Sequence, residues 1–214
     1  LPHKQTCLSP VYQDTPTPEG CDKIILIGAS TGGPPALNFI LSNLPKNMPF
    51  PLLIVQHIEE GFTHGLVNWL QQNSKLQVRV AQDYESISKG VVYFPPDNSF
   101  MGIAQSGRIS LNPLLKNQAH THTIDFLMTS ASEVFNNSCI GILLTGMGND
   151  GARGMKTIRD RGGRTSAQDE ESSLIFGMPQ KAIKNNGADK ISPLKQIPQE
   201  IMSFCTPTLD QRVS

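Results

Sequence analysis

Three side chains that together could perform nucleophilic catalysis are predicted to lie where buried strands end. Ser30, His57 and Asp150 each follow a short apolar run, the last of them within a glycine-rich loop. The carboxyl ends of parallel strands share one edge of a sheet, and ligands bind at that edge. A neutral imidazole can accept the proton of a serine hydroxyl, and a carboxylate can hold the imidazole in the required tautomer. The three residues are therefore predicted to be a nucleophile, a general base and an orienting acid.

The segment around Ser30 predicts a sharp turn from a strand into a helix. Residues 24–33 read IILIGASTGG, and an apolar run without polar alternation is typical of a strand covered on both faces. The glycines allow positive φ, and the following Pro34-Pro35 suits the first turn of a helix. Backbone N–H groups can thus approach an oxyanion at this corner, where losing one such donor typically costs about 3 kcal/mol of barrier.

Other interpretations of this turn remain open. Residues 28–32 fit G-x-S-x-G, the nucleophile elbow of α/β-hydrolases, but that family has the order Ser, acid, His, whereas here His57 precedes Asp150. A glycine-rich turn is also typical of Rossmann nucleotide sites. Those sites usually place an acidic residue at the end of the second strand, where this chain has Gln56-His57, and G-x-G-x-x-G is incomplete. His57 could also be structural and Asp150 a helix cap, but the conjunction of three groups favours catalysis.

The elements that must position these groups alternate between strands and helices. This alternation predicts an α/β fold, a doubly wound, mostly parallel sheet flanked by helices. Residues 77–111 change to short alternating pieces punctuated by Gly, Pro and Asn, which predicts an added antiparallel hairpin region. Thr123 is predicted to cap a helix that begins at Ile124.

Composition narrows the function classes. Lys and Arg together number 18, and Asp and Glu together number 18. The formal net charge is therefore zero, and no overall charge recruits nucleic acid or an anionic membrane. No apolar run is long enough to span a membrane, and no secretory signal is recognisable. The four cysteines lack metal-binding spacing and are interpreted as reduced thiols of a cytoplasmic protein, with a disulfide or zinc pair as the lesser alternative.

Several further polar residues are weaker candidates. His120 and His122 could share a strand-like face, but no carboxylate cluster in the sequence supports a metal site there. His64, Asp97 and Asp125 are interpreted as capping or surface groups. A metal site is therefore not expected at these residues.

Six short motifs of the sequence form a recognisable set. They are IGASTGG around Ser30, VQH ending at His57, GFT at 61–63, LTGMGNDGA at 144–152, AQDEES at 167–172 and FGMP at 176–179. Together they resemble the catalytic domain of the CheB chemotaxis methylesterases, and the resemblance extends from about Lys23 to Phe204, in order and with compatible spacing.

The resemblance implies hydrolysis of glutamyl γ-methyl esters on the cytoplasmic helices of chemoreceptors, with release of methanol, and in many members deamidation of receptor glutamines. Ser30 would be the nucleophile, His57 the general base and Asp150 its orienting acid. Met147 would contribute to the oxyanion site through its backbone, and Thr31 would line the pocket. The resemblance implies neither a metal nor an organic cofactor. A nucleotide-binding enzyme and a non-catalytic receptor-binding module remain the alternatives.

The resemblance also implies a domain organisation. Residues 21–206 would be the catalytic domain, residues 1–20 a Pro- and Thr-rich linker or tail, and residues 207–214 a C-terminal tail. Family members usually carry an upstream receiver domain that covers the active site until it is phosphorylated. Two segments depart from the family pattern, at 96–100 and 120–123, and both are expected near the rim that contacts the substrate.

Overall fold

A computed structural model describes residues 22–114 and 122–205. The linker predicted for residues 1–20, the tail predicted for 207–214, His120, Cys7 and Cys21 lie outside these ranges. No described helix is both long and apolar enough to cross a membrane.

The described residues form a seven-stranded parallel sheet and a separate two-stranded antiparallel sheet. The order in the large sheet is β3-β4-β2-β1-β7-β8-β9, so β1 is central, and β5 pairs with β6. The strands are β1 (Ile24–Ala29), β2 (Leu52–Gln56), β3 (Gln77–Val80), β4 (Val91–Phe94), β5 (Ser99–Ile103), β6 (Ile109–Pro113), β7 (Cys139–Leu143), β8 (Arg164–Gln168) and β9 (Lys190–Ser192).

Helices connect most of the parallel strands, as crossover connections require. The helices are α1 (Gly33–Ser42), α2 (Thr63–Asn73), α3 (Thr123–Phe135), α4 (Ala152–Asp160), α5 (Met178–Lys184) and α6 (Ile197–Cys205). The predicted fold class, a doubly wound α/β sheet flanked by helices, is confirmed.

The core lies on both faces of the large sheet. Alternate residues of β1 point to opposite faces, so that Ile25 and Ile27 join one apolar cluster while Ile24 and Leu26 join the other. All four side chains are fully buried. Cys139 of the neighbouring β7 is also buried, and burial raises the pKa of its thiol, which keeps it protonated and unreactive. β1 therefore carries no polar side chain, and polar groups follow only beyond its carboxyl end.

Two local predictions are corrected. The antiparallel prediction for 77–111 holds only for β5 and β6, because β3 and β4 are parallel strands of the large sheet. The connection between them, residues 81–90, contains no helix, so in sequence the two strands look like the arms of a hairpin. Thr123 does not cap α3: the N-cap position belongs to His122, and Asp150 supplies the acceptor for the free N–H groups.

Candidate active site

Backbone hydrogen bonds place Ser30 between the ends of two neighbouring strands. Ser30 directly follows β1, and its N–H donates to the carbonyl of Thr145, just after β7, over 3.0 Å. On the other side the His57 N–H donates to the carbonyl of Ala29 over 2.9 Å. The parallel register that pairs Ala29 with Gln56 thus makes Ser30 and His57 neighbours across the strands.

His57 and Asp150 form a hydrogen-bonded pair. The Nε2 of His57 lies 2.8 Å from Oδ2 of Asp150, and the two side chains are only 14% and 7% exposed. Nδ1 is consequently the ring nitrogen turned away from the carboxylate. Among the described residues the Ser30 hydroxyl makes no hydrogen bond. Catalytic hydrogen bonds in unliganded enzymes often form only when the substrate binds, so the Ser30 and His57 roles stay predictions.

The Asp150 carboxylate is held by donors on every side. Its Oδ1 accepts from the N–H groups of Asp125 at 2.9 Å and Gly151 at 2.8 Å. Its Oδ2 accepts from the Ile124 N–H at 3.0 Å, besides His57. Burial opposes ionisation, but the hydrogen bonds from His57 and from the backbone of α3 outweigh it and lower the pKa of Asp150. The group is therefore an anion that can fix and stabilise an imidazolium.

The glycine-rich loop after β7 closes around the nucleophile turn. The Gly146 N–H donates to the carbonyl of Ile175, which ties this loop to the segment that precedes α5. The next residue, Met147, is 74% exposed, and the role predicted for it at the reacting centre is that of its backbone. Within the described ranges the N–H groups of Met147 and Thr31 have no hydrogen-bond partner. Both groups are thus available to a ligand, as the predicted oxyanion and pocket roles require.

Gly146 offers a test of this packing. A Cβ added there would lie 2.6 Å from the Ser30 Cβ and 2.5 Å from the Met178 Sδ. The methionine can swing aside, whereas Ser30 is anchored by its backbone, so we expect Gly146→Ala to displace the nucleophile and lower kcat about 10- to 100-fold. Gly65→Ala in α2, where no atom lies within 4 Å of the added Cβ, should leave kcat unchanged. Esterase kinetics of both variants check this, and equal rates for Gly146→Ala and wild type would contradict it.

Gln56 is a site residue that the sequence interpretation did not assign. Its side-chain amide donates to the carbonyl of Ser30 at 2.9 Å and to that of His57 at 2.8 Å. The side chain is buried, and a Cβ added at Gly33 would overlap its Oε1. One amide thus fixes the spacing between the candidate nucleophile and base. A polar residue ending an otherwise apolar strand was the signal that could have revealed it.

Thr145 and Gln168 form a second supporting pair. The Thr145 hydroxyl donates to the carbonyl of Thr31 over 2.9 Å and accepts from the Ile175 N–H over 2.9 Å. Its backbone N–H donates to Oε1 of Gln168, the buried last residue of β8. These bonds connect the turn after β1 with the loops after β7 and β8. Gln168 carries the same signal as Gln56, a buried amide at a strand end.

A shallow cleft opens beside His57, which forms part of its lining. Ser30 does not line it, whereas residues 95–99 and Thr123 do. One wall is held by a hydrogen bond from the Thr63 hydroxyl to Asp97. The segment 96–100, which departs from the family pattern, therefore forms part of the surface next to the candidate base.

His122, Asp125 and Asp150 lie close enough together to suggest a cation site, since their ligand atoms are within 4.8 Å of one another. The arrangement does not fit one. Both Asp150 oxygens already accept backbone N–H bonds, and Arg153 lies 3.7 Å from Asp125. A cation would have to displace donors that the fold supplies. The expectation of no metal stays a prediction, and His120 lies outside the described residues.

Comparison with known proteins identifies the family. The family model described as CheB methylesterase matches residues 25–201. The chain belongs to the CheB methylesterase family. It is 41% identical over 181 residues to the protein-glutamate methylesterase FrzG of Myxococcus xanthus, covering 85% of this chain and 54% of that protein. It is 44% identical over 193 residues to protein-glutamate methylesterase/protein-glutamine glutaminase 3 of the same species, covering 89% of this chain and 54% of that protein.

The chain thus spans about half the length of these CheB-family relatives. The crystal structure of the Thermotoga maritima CheB methylesterase catalytic domain superposes with a TM-score of 0.78 at 37% identity. That comparison covers 85% of this chain and 97% of the Thermotoga chain. The described fold is therefore that of a CheB catalytic domain, and the resemblance noted from the motifs is confirmed.

Proposed function

We propose that this chain is a serine hydrolase that removes methyl groups from glutamyl γ-methyl esters of chemoreceptors. The observation that carries the proposal is the hydrogen-bonded pair of His57 and Asp150 beside Ser30, at the end of the central strand of a CheB-family chain. The family match and Gln56-His57 at the end of β2 favour this function over a nucleotide-binding enzyme. The proposal covers the catalytic roles of Ser30, His57 and Asp150.

The geometry supports a double-displacement reaction. The Ser30 hydroxyl attacks the ester carbonyl and gives its proton to His57, at Nδ1 because Nε2 faces Asp150. The imidazolium then protonates the departing methoxide, which leaves as methanol, and a glutamyl ester of Ser30 remains. Water then attacks that ester while His57 takes its proton, and the imidazolium returns a proton to the Ser30 oxygen as the acyl bond breaks. The receptor side chain is left as a glutamyl carboxylate, and Ser30 is restored. The Met147 N–H stabilises the oxyanion, and Thr31 lines the pocket.

The same acyl chemistry extends to deamidation. A glutamine side chain would form the same glutamyl ester of Ser30, with ammonia leaving in place of methanol. Curated relatives carry the double name protein-glutamate methylesterase/protein-glutamine glutaminase, which favours this second activity for the chain.

The partners follow from the proposed substrate. The chain would act on the cytoplasmic helices of methylated chemoreceptors and would work in the cytoplasm. Leu174 and Met147, exposed apolar residues beside the nucleophile turn, offer a surface for such a protein substrate. An upstream receiver domain that occludes this surface belongs to the same proposal.

Methanol release from a methylated receptor fragment tests the function. We expect the wild-type chain to release methanol in proportion to the methyl esters present, and to release none from an unmethylated fragment. Binding of the methylated fragment without turnover would instead indicate a receptor-binding module. Tight calorimetric binding of a nicotinamide or adenine nucleotide, without methanol release, would indicate the nucleotide-binding alternative.

A further inference from the structure

The first turn of α3 is capped by a carboxylate that precedes α4, and the first turn of α4 is capped by a carboxylate of α3. Asp150 precedes α4, yet its carboxylate accepts the N–H groups of Ile124 and Asp125 in the first turn of α3. In return Asp125 accepts the N–H of Gly154, in the first turn of α4, over 2.7 Å. Two orphan helix termini are thus satisfied reciprocally.

Neither helix receives this support from its own N-cap residue. The residue before α3 is His122, with φ of 67°, and it makes no side-chain cap hydrogen bond. The residue before α4 is Gly151, with φ of 83°, and it has no side chain. The N-terminal turns of α3 and α4 therefore depend on Asp150 and Asp125.

The two helices also pack at close range where the caps cross. A Cβ added at Gly154 would lie 2.6 Å from the Met128 Cβ and 3.2 Å from the Asp125 Cα. The hydrogen bond from Gly154 to Asp125 thus joins the two helices where they are too close to admit another methyl group. It fixes how far the start of α3 lies from the start of α4.

The outer oxygen of Asp125 faces solvent-accessible partners. Its Oδ2 lies 3.3 Å from Nδ1 of His122 and 3.7 Å from Nε of Arg153. Those side chains are 55% and 72% exposed, so their pairing with Asp125 contributes little to the stability of the fold. The Asp125 side chain itself is only 3% exposed. The buried bond to Gly154 is consequently its principal structural contact.

We propose that Asp125 is a positioning residue that sets the Asp150 carboxylate against His57. Asp125 holds α3 to α4, and the N–H groups of α3 hold Asp150. A shift of α3 is thus transmitted to the 2.8 Å bond with His57. Asp125 does not contact the reacting atoms. The inference rests on the proposed function, because it assigns Asp150 to the catalytic machinery.

The test compares a variant that loses the acceptor with one that keeps it. Asp125→Ala should lower kcat for methanol release at least about 10-fold, since misplacing a catalytic group by about 1 Å costs on the order of 100-fold, while KM stays within about 2-fold. Asp125→Asn retains an oxygen for the Gly154 N–H and should keep kcat within about 3-fold of wild type. Equal losses in the two variants would overturn the proposal.

Asp189→Ala is the matched control for a purely structural role. The Asp189 carboxylate accepts hydrogen bonds from the N–H and hydroxyl of Thr165, both at 2.9 Å, and its other oxygen lies 2.6 Å from Nε of Arg159, in the last turn of α4 and away from the N-terminal turn that Asp125 caps. Thr165 lies at the start of β8, whereas the candidate site lies beyond the strand ends. Asp189→Ala should therefore lower stability and leave kcat unchanged. A kcat loss as large as that of Asp125→Ala would show a general effect of losing a carboxylate acceptor and refute the positioning role.

Two further measurements keep the proposal decidable. If Asp125→Ala does not fold, Asp125→Glu retains the acceptor but forces a methylene between α3 and α4, and its kcat should fall at least about 5-fold. The downfield ring N–H proton resonance of His57 reports the bond to Asp150 without turnover, and Asp125→Glu should shift it while Asp189→Ala does not. An unmoved resonance would refute the positioning role even if the wild-type chain released no methanol, which would refute the proposed function separately.

Discussion

Replacing Ser30 with alanine is expected to lower methanol release from a methylated receptor fragment by at least about 10³-fold. The hydroxyl is the proposed nucleophile, and the imidazole and oxyanion donors cannot substitute for it. The hydrogen bonds that hold the turn use the Ser30 backbone. Its N–H donates to the Thr145 carbonyl, and its carbonyl accepts from the Gly33 N–H and the Gln56 side-chain amide. The variant should therefore fold like the wild type, with the same unfolding midpoint in urea.

Ser106→Ala is the matched control for this loss. Ser106 lies exposed in the turn between β5 and β6, so its variant should keep wild-type activity. A fluorophosphonate reagent should add one covalent adduct to the wild type at Ser30 and none to Ser30→Ala, as mass spectrometry of the peptides would show. Undiminished methanol release from Ser30→Ala would remove the proposed mechanism.

Asp150→Asn is expected to impair both catalysis and folding. An amide can turn only one oxygen toward the donors that surround Asp150, so its NH₂ group must face backbone N–H groups of α3 or Gly151. Buried donors left unsatisfied should lower the free energy of unfolding by at least about 2 kcal/mol. Loss of the charge and of the fixed imidazole tautomer should lower kcat about 10²- to 10⁴-fold.

The stability effect should depend on pH in a defined direction. The folded-state pKa of Asp150 is lowered, so ionised Asp150 stabilises the fold above the unfolded pKa of about 3.9, and this contribution is lost as pH falls through the folded value. Urea unfolding should therefore separate Asp150→Asn from wild type more widely at pH 7 than at pH 3. A difference that does not change with pH would contradict the ionised assignment.

His57→Gln separates the two consequences. It removes one donor to Asp150 but leaves the backbone donors of α3 in place. We expect it to be nearly as inactive as Ser30→Ala while losing much less stability than Asp150→Asn. Comparable destabilisation of the two variants would mean that His57, rather than the helix termini, holds the carboxylate.

The sequence predicted the residues at the strand ends because their signals are local. An unbroken apolar run followed by glycines marks a buried strand and its turn, and the sheet topology then brings Ser30 and His57 to one edge. The approach of Asp150 also follows, because β7 pairs with β1. That Ser30, His57 and Asp150 lie together is thus a consequence of periodicity and connection rules.

The supporting contacts could not be predicted in this way. Asp125 was interpreted as a capping or surface group, and it does cap, but it caps α4 rather than its own helix. Asp150 is also an alternative helix cap in the sequence, and it caps α3, although it precedes α4 along the chain. Capping rules describe partners a few residues apart in sequence. Caps exchanged between helices depend on how those helices pack, which a local pattern does not contain.

The segment 81–90 shows the same limit for strands. A helix between two strands indicates a parallel pair, and its absence favours a hairpin. β3 and β4 are parallel although no helix connects them, so the prediction of antiparallel pairing was wrong for these two strands at the edge of the sheet. All four residues of β4 are buried, which would have indicated an inner strand had burial been known.

The position of β1 at the centre of the sheet also links catalysis to the order of folding. The His57 and Asp150 side chains that bond to each other are 93 residues apart in sequence. Ser30 follows β1, which lies between β2 and β7 in the sheet. Such long-range pairings close late, because loop-closure entropy must be overcome before they form. Activity regained during refolding would therefore report the pairing of β1 with β2 and β7, whereas helix content would return earlier.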